Sequence, residues 1–276
     1  MRRAELIKII NQRKSLLCVG LDPDPEKFPP HLKDYNNPVL QFCKEIIEYT
    51  APYTIAYKAN TAFFEALGPK GWETLYEVKN LIPKSHFSIA DAKRGDIGNT
   101  SKRYAHCFFN EFDFDAVTIT PYMGEDSVKP FMEFNGKWAI VLTLTSNKGA
   151  NDFQQESLES NGQRLYKSVI QKCLNWGSFE NTMFVVGATR PEQLAEIRTF
   201  APDHFLLVPG VGSQGGTVQE VCQAAATSCG GLFINASRSI IYAGSGHNFA
   251  EMAGREAQRL QQEMSKFFPS SGPTIL

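Results

Sequence analysis

The sequence predicts a single-domain (β/α)8, or TIM, barrel, and three observations carry that prediction. Eight short apolar, β-branched runs recur along the 276 residues, in alternation with amphipathic helical patterns. The first and last runs start at residues 15 and 231, 216 residues apart over seven steps, or about 31 per step, the length of a strand-helix unit. The polar residues able to do chemistry gather at the C-terminal ends of these runs, where a barrel carries its active site. An open doubly wound sheet uses the same alternation. Eight units without a long central excursion favour closure.

The N-terminal stretch MRRAELIKIINQRKSLL has two leading arginines, as a secretion signal does. Glu5, Lys8 and Arg13 interrupt any apolar core, however, and no small-residue cleavage site follows. Residues 1–14 are expected to form a short amphipathic helix ahead of the first strand, SLLCVGLD (15–22). The helical pattern VLQFCKEIIEYTA leads to the second strand, YTIAYKAN (53–60), and WETLYEVKNLI to the third, HFSIADAK (86–93). SKRYAHCFFNEF precedes AVTITPY (116–122), SVKPFMEF precedes AIVLTLTS (139–146), and GQRLYKSVIQKCLNW precedes TMFVVGAT (182–189). RPEQLAEIRTF leads to HFLLVPGV (204–211), TVQEVCQAAATS to GLFINASR (231–238), and FAEMAGREAQRLQQEMSKFF closes the set. Each helix repeats its apolar residues at three- and four-residue spacing. No linker divides the chain, so residues 15–268 read as one barrel domain and PSSGPTIL (269–276) as a short mobile tail.

Composition excludes several functions. Lys and Arg total 28 against 29 Asp and Glu, a net charge of −1, with no basic stripe for nucleic acid. No apolar run approaches the ~20 residues of a membrane span. The six cysteines form no CxxC pair, and four lie in apolar or helical stretches. That pattern suits reduced thiols in a cytoplasmic protein rather than disulfides or a zinc site. None of the five histidines falls on the rim beside a carboxylate pair, so no metal site is expected.

The densest chemistry is DAKRGDI (91–97). Strand alternation puts Asp91 and Lys93 on one face, and Asp96 follows where Gly95 lets the chain turn. Lys58, on the neighbouring strand, points to the same place. Such charges usually form a solvated surface network. Here the ends of adjacent inner strands converge, and neighbouring carboxylates keep a partly buried lysine protonated. A positioned ammonium of this kind is a general acid, not a Schiff-base nucleophile. The opposite ends of the strands carry little beyond turn residues.

A second cluster is PGVGSQGG (209–216), with a literal G-x-G-x-x-G at 210–215. A dinucleotide site reads the same way, but Asn235 and Arg238 stand where its acidic residue belongs, and the motif lies in the seventh unit rather than the first. Barrels bind monophosphates after strands seven and eight, and Gln214 and Arg238 add side-chain donors. A plain tight turn is the other use of such glycines. Asp22, in LDPDP, serves either a backbone turn or a ribose hydroxyl. Ser146, in TSN, either caps the next segment or faces a planar base.

Six motifs in family order, VGLDPDP, YKANTAFFE, DAKRGDIGNTS, LTSN, VPGVGSQGG and NASRSIIYA, cover nearly the whole chain. On them the sequence resembles the orotidine 5′-phosphate decarboxylases, most closely their bacterial branch with a longer chain. A sister group of sugar-phosphate decarboxylases and epimerases shares D-x-K-x-x-D. It tends to place a metal-holding acidic residue where this chain has Lys58, and a metal requirement would reveal it. A non-catalytic nucleotide-binding barrel would have a broken charge cluster, and here all four members are present.

The resemblance implies conversion of orotidine 5′-monophosphate (OMP) to UMP and CO2 in pyrimidine biosynthesis, without metal or organic cofactor. It implies that Asp22 and Lys58 contact the ribose hydroxyls and that Lys58 also pairs with Asp91. Asp91 would lie beside the leaving carboxylate, and Lys93, held between Asp91 and Asp96, would protonate C6 of the pyrimidine. Asp96 and Thr100 would reach the partner subunit's site in a homodimer. Ser146 would read the pyrimidine edge, and Gln214 and Arg238 would hold the phosphate. One departure is Ser237, which precedes Arg238 where many relatives have glycine. Its backbone N–H would still donate to phosphate.

Overall fold

The computed structural model describes residues 1–211 and 216–268, so Gln214 and the tail 269–276 lie outside the described residues. Eight parallel strands close on themselves: β1 (Leu17–Leu21), β2 (Ala56–Asn60), β3 (Phe87–Arg94), β4 (Ala116–Ile119), β5 (Trp138–Leu144), β6 (Thr182–Val186), β7 (Phe205–Pro209) and β8 (Leu232–Ala236). Each strand pairs with its successor, and β8 returns to β1 in the register Cys18↔Asn235. The barrel expected from the sequence is the observed fold. Six of the eight strands stop earlier than their apolar runs, β2 ends with its run at Asn60 and β3 extends to Arg94; β4 ends at Ile119, ahead of Pro121, which has no N–H for a ladder.

The helices are α1 (Arg3–Arg13), α2 (Pro38–Thr50), α3 (Thr61–Glu65), α4 (Pro69–Leu81), α5 (Gly98–His106) and α6 (Glu125–Met132). They continue with α7 (Leu165–Trp176), α8 (Pro191–Phe200), α9 (Val218–Ala225), α10 (Arg238–Ile241) and α11 (Phe249–Ser265). In α2 the Asn37 side chain accepts the Leu40 N–H and Pro38 opens the first turn, a start that satisfies an orphan donor. Val39, Phe42, Cys43, Ile46 and Ile47 form its buried face. Helix α11 packs on it through small residues: a Cβ on Gly254 would lie 2.9 Å from the Tyr49 carbonyl. The short α3 and α10, which the periodicity does not announce, follow β2 and β8 at the C-terminal rim. Among the described residues no helix is long and apolar enough to cross a membrane.

The N-terminal end of the barrel is closed, contrary to the expectation that it holds only turn residues. Phe87 of β3 meets Trp138 of β5, Trp138 meets Phe205 of β7, and Phe233 of β8 touches both Phe205 and Phe87, with ring centroids 5.2–6.2 Å apart. Contacts between non-neighbouring strands pass through the barrel interior, so these rings are a filled layer. Cutting one back to alanine would cost about 3–5 kcal/mol. Helix α1 runs beneath it, burying Leu6 and Ile10 and laying Arg3 over Phe205. Asp115 ties β3 to β4 by accepting from Ser88 N and Oγ at 2.9 and 2.8 Å. A plugged base leaves the C-terminal rim as the open end.

Candidate active site

The strand ends on that rim surround a cavity of about 240 Å³. Asp22 follows β1, Lys58 lies in β2, and Asp91 and Lys93 lie in β3. Leu142 of β5, Val185 of β6 and Leu207 of β7 line the cavity as well. Lys58 Nζ donates to Asp91 Oδ2 at 2.7 Å and lies 3.9 Å from Asp22 Oδ1. Lys93 Nζ donates to Asp91 Oδ1 at 2.6 Å. The order Asp22, Lys58, Asp91, Lys93 therefore alternates in sign.

Burial works against the charges of Lys58 and Asp91. The carboxylates of Asp91 and Asp22 outweigh it at Lys58 and hold the ammonium above its ordinary range. Lys58 and Lys93 likewise hold the Asp91 carboxyl well below the usual carboxylate range. Both groups stay ionised at neutral pH. Deleting Asp91 would leave the buried Lys58 with Asp22, at 3.9 Å, as its remaining carboxylate neighbour among the described residues, and would remove its hydrogen-bonded partner.

Plain strand alternation is not what brings Lys93 to Asp91. Strand β3 shifts register against β4 between Ala90 and Arg94, and Lys93 has φ 46°. That left-handed backbone costs a non-glycine residue about 1–3 kcal/mol and persists only where its surroundings hold it. Thr118 of β4 is one such hold: its Oγ1 accepts the Lys93 N–H at 3.0 Å and donates to Asp91 Oδ1 at 3.0 Å. Arg94 is another. Its guanidinium donates to the Ala92 carbonyl at 2.8 Å, pairs with Glu65 and packs on the rings of Tyr104 and Phe108.

Asp22 is fixed from the other side of the barrel seam. Ser237 Oγ donates to its Oδ2 at 2.6 Å, and Tyr242 OH donates to its carbonyl at 2.9 Å while accepting the Asp24 N–H. Burial pushes the Tyr242 hydroxyl up to about 12, so it remains a donor. Asp22 Oδ1 and Asn235 Oδ1 are buried without a hydrogen-bond partner among the described residues. Arg238, the first residue of α10, borders the same cavity as Gly210 and Val211 beyond β7. The arrangement offers fixed charges on one side, apolar surface on the other and a guanidinium at the rim.

Comparison with known proteins agrees with this chemistry. The model of the orotidine 5′-phosphate decarboxylase / HUMPS family matches residues 15–253. A Phocaeicola vulgatus protein named orotidine 5′-phosphate decarboxylase is 51% identical over 269 residues, covering 96% of this chain and 98% of that one. A Flavobacterium johnsoniae protein of the same name is 51% identical over 273 residues, covering 98% and 99%. The chain belongs to this family. It is an enzyme of the carboxy-lyase class. Among solved structures, Leishmania donovani OMP decarboxylase matches with a TM-score of 0.80 at 36% identity, covering 95% of this chain and 99% of that one.

The remaining residues that the family resemblance singles out are spread around the rim. Asp96 is half-buried and accepts its own neighbour's backbone N–H, Ile97 N, at 2.8 Å. It does not bracket Lys93 together with Asp91 within the chain: Asp91 is the ion-pair partner that Lys93 has among the described residues. Thr100 is exposed on α5. Ser146 lines a separate, adjacent cavity of about 130 Å³ with Asn147 and Arg190, and Thr145 borders both cavities. Gln214 lies outside the described residues. Thr118, Tyr242 and the side chain of Ser237 join the site without having been singled out for it. Nothing in the pattern of AVTITPY or NASRSIIYA separates them from ordinary strand and helix residues.

Proposed function

We propose that the chain decarboxylates OMP to UMP and CO2 without a metal or organic cofactor, acting as a cytoplasmic homodimer in pyrimidine biosynthesis. The observation that carries the reading is Lys93, whose side chain is 49% exposed at the cavity while Asp91 holds its ammonium at 2.6 Å. Breaking the C6–carboxylate bond leaves the electron pair on C6, in an sp2 orbital that the ring π system does not delocalise. CO2 departs, and a proton from Lys93 Nζ goes to C6. A preorganised ammonium stabilises that charge with little reorganisation. At an effective dielectric of 20, unit charges ~4 Å apart interact by ~4 kcal/mol. Asp91, beside the departing carboxylate, adds a repulsion that its loss relieves.

Asp22 and Lys58 take the ribose hydroxyls, Ser146 the pyrimidine edge, and Gln214 and Arg238 the phosphate. The phosphate grip orients the ring although it lies away from C6. Asp96 and Thr100 complete the site of the partner subunit. Supporting this, the surface around them is apolar and exposed: Ile97, Tyr104, Met123 and Tyr122, the last at 89%. The segments that carry these residues are tied by Thr120 N donating to Arg94 O and by Ser101 Oγ donating to Ser127 O. A surface of this kind is one that a second copy covers.

The test is OMP turnover by the purified chain in EDTA, followed through loss of the near-UV absorbance of OMP. Turnover that needs added metal, or no turnover, overturns the reading.

A further inference from the structure

Ser237 has a hydroxyl for which binding phosphate through its backbone N–H has no use. In the structure that hydroxyl turns away from Arg238 and across the β8–β1 seam. It donates to Asp22 Oδ2 at 2.6 Å and lies 3.3 Å from the Gly20 carbonyl. Room for it exists because residue 20 is glycine: a Cβ there would come within 2.7 Å of Ser237 Cβ and 2.9 Å of its Oγ. The Asp22 main chain is pinned separately by Tyr242 OH, so Ser237 acts on the carboxylate itself. With Oδ2 engaged, Oδ1 is the acceptor left over. It is buried, without a hydrogen-bond partner among the described residues, and 3.9 Å from Lys58 Nζ. Ser237 and Lys58 therefore flank the carboxylate of a residue that lines the cavity.

We propose that Ser237 is a positioning residue that locks the Asp22 carboxylate in the setting in which it meets a ribosyl hydroxyl of the bound nucleotide. The inference rests on the decarboxylase reading above and deepens it by naming what orients one of its contacts. A free aspartate side chain rotates between equivalent settings, and a short hydroxyl–carboxylate bond selects one of them. Because Ser237 and Arg238 are consecutive, one turn of backbone then sets both the ribosyl and the phosphate contacts.

The experiment is a double-mutant cycle of Ser237→Ala, Asp22→Ala and the pair. It is read in kcat/KM for OMP, in the dissociation constant for UMP, and in Tm. In the wild-type background Ser237→Ala is expected to lower kcat/KM and UMP affinity about tenfold, the worth of one hydrogen bond to a charged group. In the Asp22→Ala background it is expected to cost less than about twofold, with Tm moving by no more than about 2 °C in either, because a residue acting only through Asp22 has nothing left to position. An equal loss in both backgrounds, or no loss in the wild type, overturns the proposal. Ser237→Gly repeats the cycle should the alanine variant fold poorly. A wild-type chain with no OMP turnover overturns the decarboxylase reading instead, and the UMP arm then decides the positioning role alone.

Discussion

Asp91 Oδ1 receives two donors at once, Thr118 Oγ1 at 3.0 Å and the Lys93 ammonium at 2.6 Å. The same Thr118 oxygen accepts the Lys93 N–H, so one hydroxyl holds both members of the pair. Thr118→Val keeps the shape and removes both bonds. It is expected to lower kcat and kcat/KM together by about tenfold, the pattern of a contact that matters in the transition state. Steady-state kinetics check this. A rise in KM alone would place Thr118 in substrate binding instead.

Lys93→Ala should abolish turnover and leave the fold intact. The lysine is half exposed and its backbone strain is a cost, so its removal does not open the core. Asp91 would then face the substrate carboxylate with only Lys58 to offset it, and substrate affinity should fall as well. Activity within about tenfold of wild type would remove the lysine from the role of proton donor.

Acid sensitivity has a source away from the site. Burial, with Arg198 and Arg3 nearby, pushes His204 down to about 4 from an ordinary 6.5, and neither ring nitrogen has a hydrogen-bond partner among the described residues. Between these two values the unfolded chain binds a proton that the folded chain refuses. Stability therefore falls as pH drops from 6.5 to about 4, by about 2–3 kcal/mol from this group. His86, lowered to about 4 by burial beside Arg13, acts with the same sign. The Asp91 ion pairs are intact throughout that window, since a depressed carboxyl loses its contribution only well below the ordinary carboxylate range. His204→Phe should keep the packing on Phe184 and flatten part of the Tm-against-pH curve. A curve parallel to the wild type counts against this.

Arg238→Ala should raise KM strongly, because a phosphate grip acts in ground and transition states alike. Phosphite dianion added with a substrate lacking the phosphate should restore part of the rate. A fall in kcat alone would take the phosphate away from the end of β8.

Complementation tests the shared site. Mixing inactive Lys93→Ala with inactive Asp96→Ala should restore activity if Asp96 works in its partner's site. A mixed dimer has one site with both defects and one with neither. Random pairing makes about half the dimers mixed and returns about a quarter of wild-type sites. Co-expression and turnover per chain measure it. Activity equal to the sum of the parents, with mixed dimers present, would place Asp96 in its own subunit's site.

The eight strands were legible because β-branched runs carry their own signature, and the rim followed from which end of each run is polar. The bulge at Lys93 was not, since a left-handed lysine in a strand is imposed by Thr118 and Arg94, residues whose partners the chain order does not reveal. Two-residue spacing points to the right neighbour for Lys93, but the register shift and the left-handed backbone make the contact rather than strand alternation. The aromatic layer at the base was hidden for a related reason. Phe87, Trp138 and Phe205 each look like an ordinary strand start, and only closure of the barrel makes them touch. Asp96 shows the reverse: its nearness in sequence to Lys93 suggested a bracket that the turn at Gly95 does not make.

In a closed eight-stranded barrel, strand k faces strand k+4. Asp22 follows β1, Lys58 and Asp91 belong to β2 and β3, and Leu142, Val185 and Leu207 to β5, β6 and β7, so charged and hydrocarbon arcs oppose each other across the same cavity. Charge is gathered on one side of that space and hydrocarbon on the other. A flat ring entering it meets a charged wall at one edge and an apolar wall at the other, and so finds a single orientation in the plane. A nitrile reporter placed along that axis should show a Stark shift that reverses when it is turned end for end.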